Sequence, residues 1–116
     1  MPYPPKNLVD HRIYKIRPRR MGEFLEVFDR LAMPVLLQTL GTPLGFYASL
    51  VGPLNQVVHF WGYDDLADFE RRALARDTHP DFPAYLAASE HLIVSQETRL
   101  IKRVDLPSLR SATGPG

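Results

Sequence analysis

Residues 56–63, Gln56-Val57-Val58-His59-Phe60-Trp61-Gly62-Tyr63, decide the fold because they read as a strand with two apolar faces. Side chains of a strand point alternately to opposite sides, so Val57, His59, Trp61 and Tyr63 share one face and Val58 and Phe60 the other. An antiparallel sheet covered by helices on one side should turn a polar face to water. Here both faces are apolar enough to need cover.

The pattern extends outward from this strand. Upstream, residues 45–52 (GFYASLVG) form a second strand, and Pro53-Leu54-Asn55 beside Gly52 predicts a hairpin connection. Downstream, Asp64 or Asp65 is placed to accept free amides at the start of a helix whose apolar stripe is Leu66, Phe69 and Ala73. Thr78-His79-Pro80-Asp81 predicts a further helix start, with Thr78 as cap and Phe82, Tyr85 and Leu86 facing inward. Residues 91–103 (HLIVSQETRLIKR) close the chain as a strand in which Leu92 and Val94 oppose Ile93.

Before the hairpin, residues 8–17 (LVDHRIYKIR) form the first strand, stopped by Pro18. From Met21 to about Leu40 the spacing is helical: Phe24, Val27, Phe28, Leu31 and Val35 recur at three- and four-residue steps. Pro34 lacks a backbone donor and predicts a kink or break there. The order is β-α-β-β-α-β, an α+β, ferredoxin-like arrangement with a four-stranded antiparallel sheet. Its domain spans residues 8–104, with a flexible lead-in over 1–7 and a C-terminal tail over 105–116. No element is left to cover the second sheet face, and the simplest cover is the same face of another copy, which predicts a homodimer through the sheet.

Bulk properties bound the function. With 116 residues, 45% hydrophobic and 23% charged, the chain is sized for one soluble domain. A net charge of +1 with interspersed signs argues against a nucleic-acid interface, and Arg17, Arg19 and Arg20 read as a solvated turn. With no cysteine, disulfides and thiolate metal sites are excluded. The opening residues lack a secretory pattern and no apolar run reaches spanning length, so the expected location is cytoplasmic, with no membrane span.

The run from Gly52 through Trp61, Tyr63 and Asp64-Asp65 to Leu66 closely resembles the NIPSNAP family, where a glycine-flanked turn with asparagine leads into a strand ending in tryptophan, then tyrosine and an acidic helix start. Arg12-Ile13-Tyr14, Met33-Pro34, Glu70-Arg71-Arg72 followed by Phe82 and Tyr85, and residues 92–100 (LIVSQETRL) resemble the family in the same order. The resemblance implies a dimeric α/β barrel, two ferredoxin-like units meeting sheet to sheet with helices outside. The wider superfamily includes cofactor-independent oxygenases, haem-degrading oxygenases and small-molecule isomerases. No single reaction follows from the likeness.

The strand residues are the candidate site. His59 is a candidate general base near neutral pH, with Trp61 and Tyr63 on its face able to sandwich and orient a planar substrate. Arg12 and Tyr14 share a face of the first strand, with His11 opposite, and Gln96 shares a face of the last strand with Val94 and Thr98. All of these can instead be packing or sheet-pairing groups. His79 invites comparison with haem ligands but no axial-ligand pattern accompanies it. His11, His59, His79 and His91 lack metal-ligand spacing, so neither a metal nor a cofactor is expected. Two functions stay open: a dimer that binds or converts a small hydrophobic or aromatic molecule without a cofactor, and a non-catalytic binding or scaffold dimer.

Overall fold

The double-faced alternation becomes β3 (Gln56–Tyr63), flanked in the sheet by β1 (Leu8–Ile16) and β2 (Gly45–Ala48), with β4 (Ile93–Lys102) outside β1. A computed structural model describes residues 6–112; residues 1–5 of the expected lead-in and residues 113–116 of the tail lie outside the described residues. The sheet is antiparallel throughout, in the order β2-β3-β1-β4. This is the ferredoxin-like order, with the two hairpin strands together and the chain-terminal strands paired.

The first helical stretch is interrupted earlier than Pro34 suggested. α1 (Met21–Val27) runs into a π-helical turn over Phe28–Ala32 before α2 (Met33–Thr39) begins, and Pro34 falls in the first turn of α2. A proline has no amide to donate, and the widened turn ahead of it absorbs the resulting misfit in register. Phe24, Val27, Phe28, Ala32, Leu36 and Leu40 from this stretch pack on Tyr14, Ile16, Val57, Trp61 and Tyr63 of the sheet. Each large side chain so buried contributes roughly 1.5–3 kcal/mol.

The hairpin strand is shorter than expected. β2 ends at Ala48, and the link to β3 turns through Gly52 (φ 98°) and Asn55 (φ 61°), two left-handed positions that glycine and asparagine tolerate.

α3 (Leu66–Asp77) is capped by Asp65, whose Oδ1 accepts the Asp68 N–H at 2.7 Å. Its expected apolar stripe is only partly real, because Leu66 is 60% exposed. A polar hub takes its place. The buried Asp68 carboxylate accepts the Asp64 N–H at 3.0 Å and Arg72 Nε–H at 2.8 Å, and Arg72 donates onward to the Leu40 carbonyl at 3.1 Å, tying α3 to the end of α2. These bonds, the Asp64 amide first, hold the Asp68 carboxyl below its ordinary pKa. Asp68→Asn is therefore expected to cost about 2 kcal/mol near neutral pH, the scale of hydrogen bonds to a charged group. Because the folded pKa is depressed, that difference should persist above the unfolded value of 3.8 and shrink as pH falls through the folded one. Urea unfolding at pH 7 and in acid would show it, and an equal gap at both would refute the assignment.

Thr78 does not open the next helix. It closes α3, its hydroxyl donating to the Leu74 carbonyl, and α4 (Phe82–Ser89) starts after Asp81 with Pro83 in its first turn. Within the expected tail, Pro107–Ala112 forms a short helix, α5, whose Leu109 lines a hollow together with Val9 and Ile101. Elsewhere the outer face of the sheet carries half-buried Ile13, Val58 and Phe60 with no layer over them among the described residues. No helix among the described residues is long and apolar enough to cross a membrane.

Candidate functional site

Strand register brings the candidate residues together. His59 of β3 stands opposite Phe46 of β2 on one side and Arg12 of β1 on the other, and Arg12 stands opposite Thr98 of β4. In the neighbouring rows Tyr14 lies between Val57 and Gln96, and Asp10 between Trp61 and Leu100. Directly opposed residues share a face, and this one faces the helices. α4 and the end of α3 complete a cavity of about 150 Å³ lined by Arg12, Tyr14, His59, Trp61 and Gln96 from the sheet and by Phe28, Arg76, Asp77, Phe82, Tyr85 and Leu86 from the helical layer.

His59 is the most buried polar group on this wall, at 1% exposure. Trp61 Nε1–H donates to His59 Nδ1 at 2.7 Å, a bond between two side chains that share a face of one strand. An accepting Nδ1 assigns the proton of the neutral ring to Nε2. That Nε2 is buried with no hydrogen-bond partner. Phe46 stacks on the ring at 4.8 Å between centroids, and Tyr14 meets it edge-on at 4.7 Å. Burial in this aromatic shell, with Arg12 and His11 adding positive charge, pushes the His59 pKa down from 6.5 to about 3. The ring is thus neutral near pH 7, with its acceptor nitrogen occupied and an N–H free. A neutral ring of this tautomer can donate from Nε2.

Arg12 has a similar character. Its guanidinium lies 5.5 Å from the Tyr14 ring centroid, and its buried Nε has no hydrogen-bond partner. The nearest carboxylate oxygen of an ion pair is Asp10 Oδ2, 4.0 Å from Nε, beyond hydrogen-bond length. Asp10 is itself buried and accepts the Thr98 hydroxyl. Arg76, from the last turn of α3, places its guanidinium 5.9 Å from the Phe82 ring centroid and donates from Nε to Asp77 at 2.9 Å. Burial raises the pKa of the Tyr14 hydroxyl despite the nearby Arg12 and Arg76, and burial raises that of Tyr85 as well.

Not every expected residue joins the site. Tyr63 shares the face but does not line the cavity; it is buried against Phe69, its hydroxyl without a partner and pushed up to about 12 by burial. His79 is engaged at both ring nitrogens, by Gln38 at 3.0 Å and by the Asp81 N–H at 3.1 Å, away from the cavity. His11 is on the outer face, stacked on Phe60. Among the described residues no three His, Asp or Glu side chains gather as a metal site would require. Asp10, Arg76, Phe82 and Tyr85 were not singled out as site residues from the sequence. Asp10 precedes Arg12 and Tyr14 at the same two-residue step, and Asp68, Arg72 and Arg76 repeat at four-residue spacing on a helix with a weak apolar stripe.

The NIPSNAP family model matches residues 9–107. A NIPSNAP-like domain protein from Burkholderia xenovorans is 33% identical, with TM-score 0.79 over 85% of this chain and 86% of its own. A NIPSNAP family protein from Agrobacterium tumefaciens is 31% identical, with TM-score 0.82 over 90% of this chain and 92% of its own. The human Protein NipSnap homolog 3A is 39% identical over 72 residues, which are 59% of this chain and 28% of that protein, so the chain spans little more than a quarter of that curated relative. A Nitrosomonas europaea protein provisionally assigned as an antibiotic biosynthesis monooxygenase shares the fold at 11% identity, with TM-score 0.62 over 84% of this chain and 99% of its own.

Proposed function

The chain belongs to the NIPSNAP family, and we propose that it acts as a homodimer that binds a small, largely aromatic molecule in the cavity between its sheet and helices. The observation that carries the binding reading is the pair of buried donors without partners, Arg12 Nε and His59 Nε2, on residues directly opposed in the cavity wall. A buried polar group left unpaired costs about 1–3 kcal/mol, a penalty that a bound acceptor removes. Trp61, Phe28 and Phe82 supply the apolar walls, and Tyr14, Gln96 and Tyr85 further polar contacts.

If the bound molecule is converted, the reaction needs no cofactor in this reading, and His59 contributes as an N–H donor to an oxygen that gains negative charge rather than as a base. The alternative, a non-catalytic scaffold dimer working in the cytoplasm, draws support from the cavity's size. About 150 Å³ is well below the roughly 300–1,000 Å³ of ordinary ligand pockets. Dimerisation through the sheet is common to both readings. Ile13, Val58 and Phe60 are half-buried on an otherwise open face, and Tyr47 beside them is 61% exposed. A twofold contact would bury the same patch of both copies at once.

Native mass spectrometry of the purified protein tests assembly and ligand in one spectrum. The expected result is twice the 13.2 kDa subunit mass with a non-covalent adduct. A bare dimer moves the reading to the scaffold, and a monomer overturns the sheet-to-sheet pairing.

A further inference from the structure

We propose that the cavity's ligand is a small planar acid, an aromatic ring bearing a carboxylate, with the acid group held between Arg12 and His59. This deepens the reading of the cavity as a ligand site and rests on it.

The polar inventory of the wall points to an anion. Its unpaired buried groups are Arg12 Nε and His59 Nε2, which can only donate in this tautomer, and the Tyr85 hydroxyl, which can donate as well as accept. The acidic residue on the wall, Asp77, already accepts from Arg76 Nε at 2.9 Å. Asp10, next to Arg12 on the strand, already accepts the Thr98 hydroxyl and is too far from Arg12 Nε for a hydrogen bond. Two guanidinium groups, Arg12 and Arg76, therefore line a space whose one lining carboxylate is engaged, while Arg12 keeps a 4.0 Å ion pair with the buried Asp10 that leaves its Nε–H unbonded.

A neutral apolar ligand would leave both donors unmade. A carboxylate accepts at two oxygens and makes charge-assisted bonds, about twice as strong as neutral ones. Arg12 and His59 are directly opposed in the β1–β3 ladder, which places their Cβ atoms about 5 Å apart. One carboxylate can span that gap with an oxygen to each.

The apolar remainder sets the size. A cavity of about 150 Å³ suits a benzene-sized ring, so ring and acid together come to roughly six to ten heavy atoms. Phe28, Trp61 and Phe82 offer the ring its surfaces.

The test compares benzoate with benzamide, its neutral isostere, at pH 7. Trp61 is the chain's single tryptophan and lines the cavity, so its indole N–H resonance in a ¹H–¹⁵N spectrum reports occupancy directly. Benzoate is expected to bind about tenfold tighter or better, the scale of one charge-assisted bond. Arg12→Gln should weaken benzoate far more than benzamide and bring the two to about the same level, while Arg12→Lys should keep part of the preference. Equal affinities for the two probes, unchanged in Arg12→Gln, would overturn the acid proposal and leave the ligand site standing. No shift of the Trp61 indole with either probe at millimolar concentration would overturn both. The comparison in the unmodified protein decides the preference even if Arg12→Gln fails to fold.

Discussion

His59→Gln is expected to remove a steep loss of stability that the unmodified protein suffers on acidification from pH 6.5 to 4. Folding holds the imidazole neutral, with a pKa of about 3 against 6.5 in the unfolded chain, so the unfolded state takes up a proton that the folded state refuses. Stability from this residue is therefore complete above pH 6.5 and declines as pH falls toward 3. The loss reaches roughly 3 kcal/mol at pH 4, from 1.36 kcal/mol for each unit of separation. His11, His79 and His91 are common to both proteins and cancel in the comparison. Urea denaturation at pH 7, 5.5 and 4 measures it. Parallel slopes in the two proteins would show that His59 titrates freely, and with that the donor role assigned to Nε2 would fall.

Phe28→Ala is expected to be the most damaging core substitution. The ring is 3% exposed and stands at the start of the π-helical turn, with centroids 5.6 Å from Phe24, 5.2 Å from Phe46, 5.5 Å from Tyr85 and 5.8 Å from His59. It joins both helical halves to the sheet and forms part of the cavity wall. Truncation should cost about 3–5 kcal/mol, a large part of the roughly 5–15 kcal/mol that holds a typical domain together. Denaturant midpoints give the value directly. A loss under about 1 kcal/mol would mean that the neighbouring rings close over the gap, and the wall is softer than its packing suggests.

The shape of the molecule was largely written in short-range pattern. The two-residue period of β3 and the three- and four-residue period from Phe24 to Leu36 are properties of a chain with itself, and they survive in the fold with small shifts at the ends and a π-helical turn over Phe28–Ala32. Where expectation and structure part, a particular hydrogen bond intervenes, local at Thr78 and long-range at α3. Thr78 reads as a helix cap because hydroxyls serve there, yet its hydroxyl donates to the Leu74 carbonyl at 2.7 Å and closes the helix before it. Leu66 reads as core, but Asp68 and Arg72 anchor α3 through the Leu40 carbonyl instead, and Leu66 stays in solvent.

The same division applies to the site. That His59 and Trp61 share a face, and Arg12 and Tyr14 another, follows from the pleat of a single strand and was fixed before any folding. Which faces coincide is a matter of register, and the pairing of Arg12 with His59 and of Tyr14 with Gln96 is set only when β1 takes its place between β3 and β4. Arg76, Phe82 and Tyr85 reach the cavity because the crossover from β3 to β4 returns over that same face. The protonation of His59 is more dependent still: its neutral ring needs the Trp61 N–H, the Phe46 and Tyr14 rings and the exclusion of water together. Local periodicity is a single-strand property and needs no partner, whereas desolvation and the aim of an unpaired donor exist only once distant segments have closed around them.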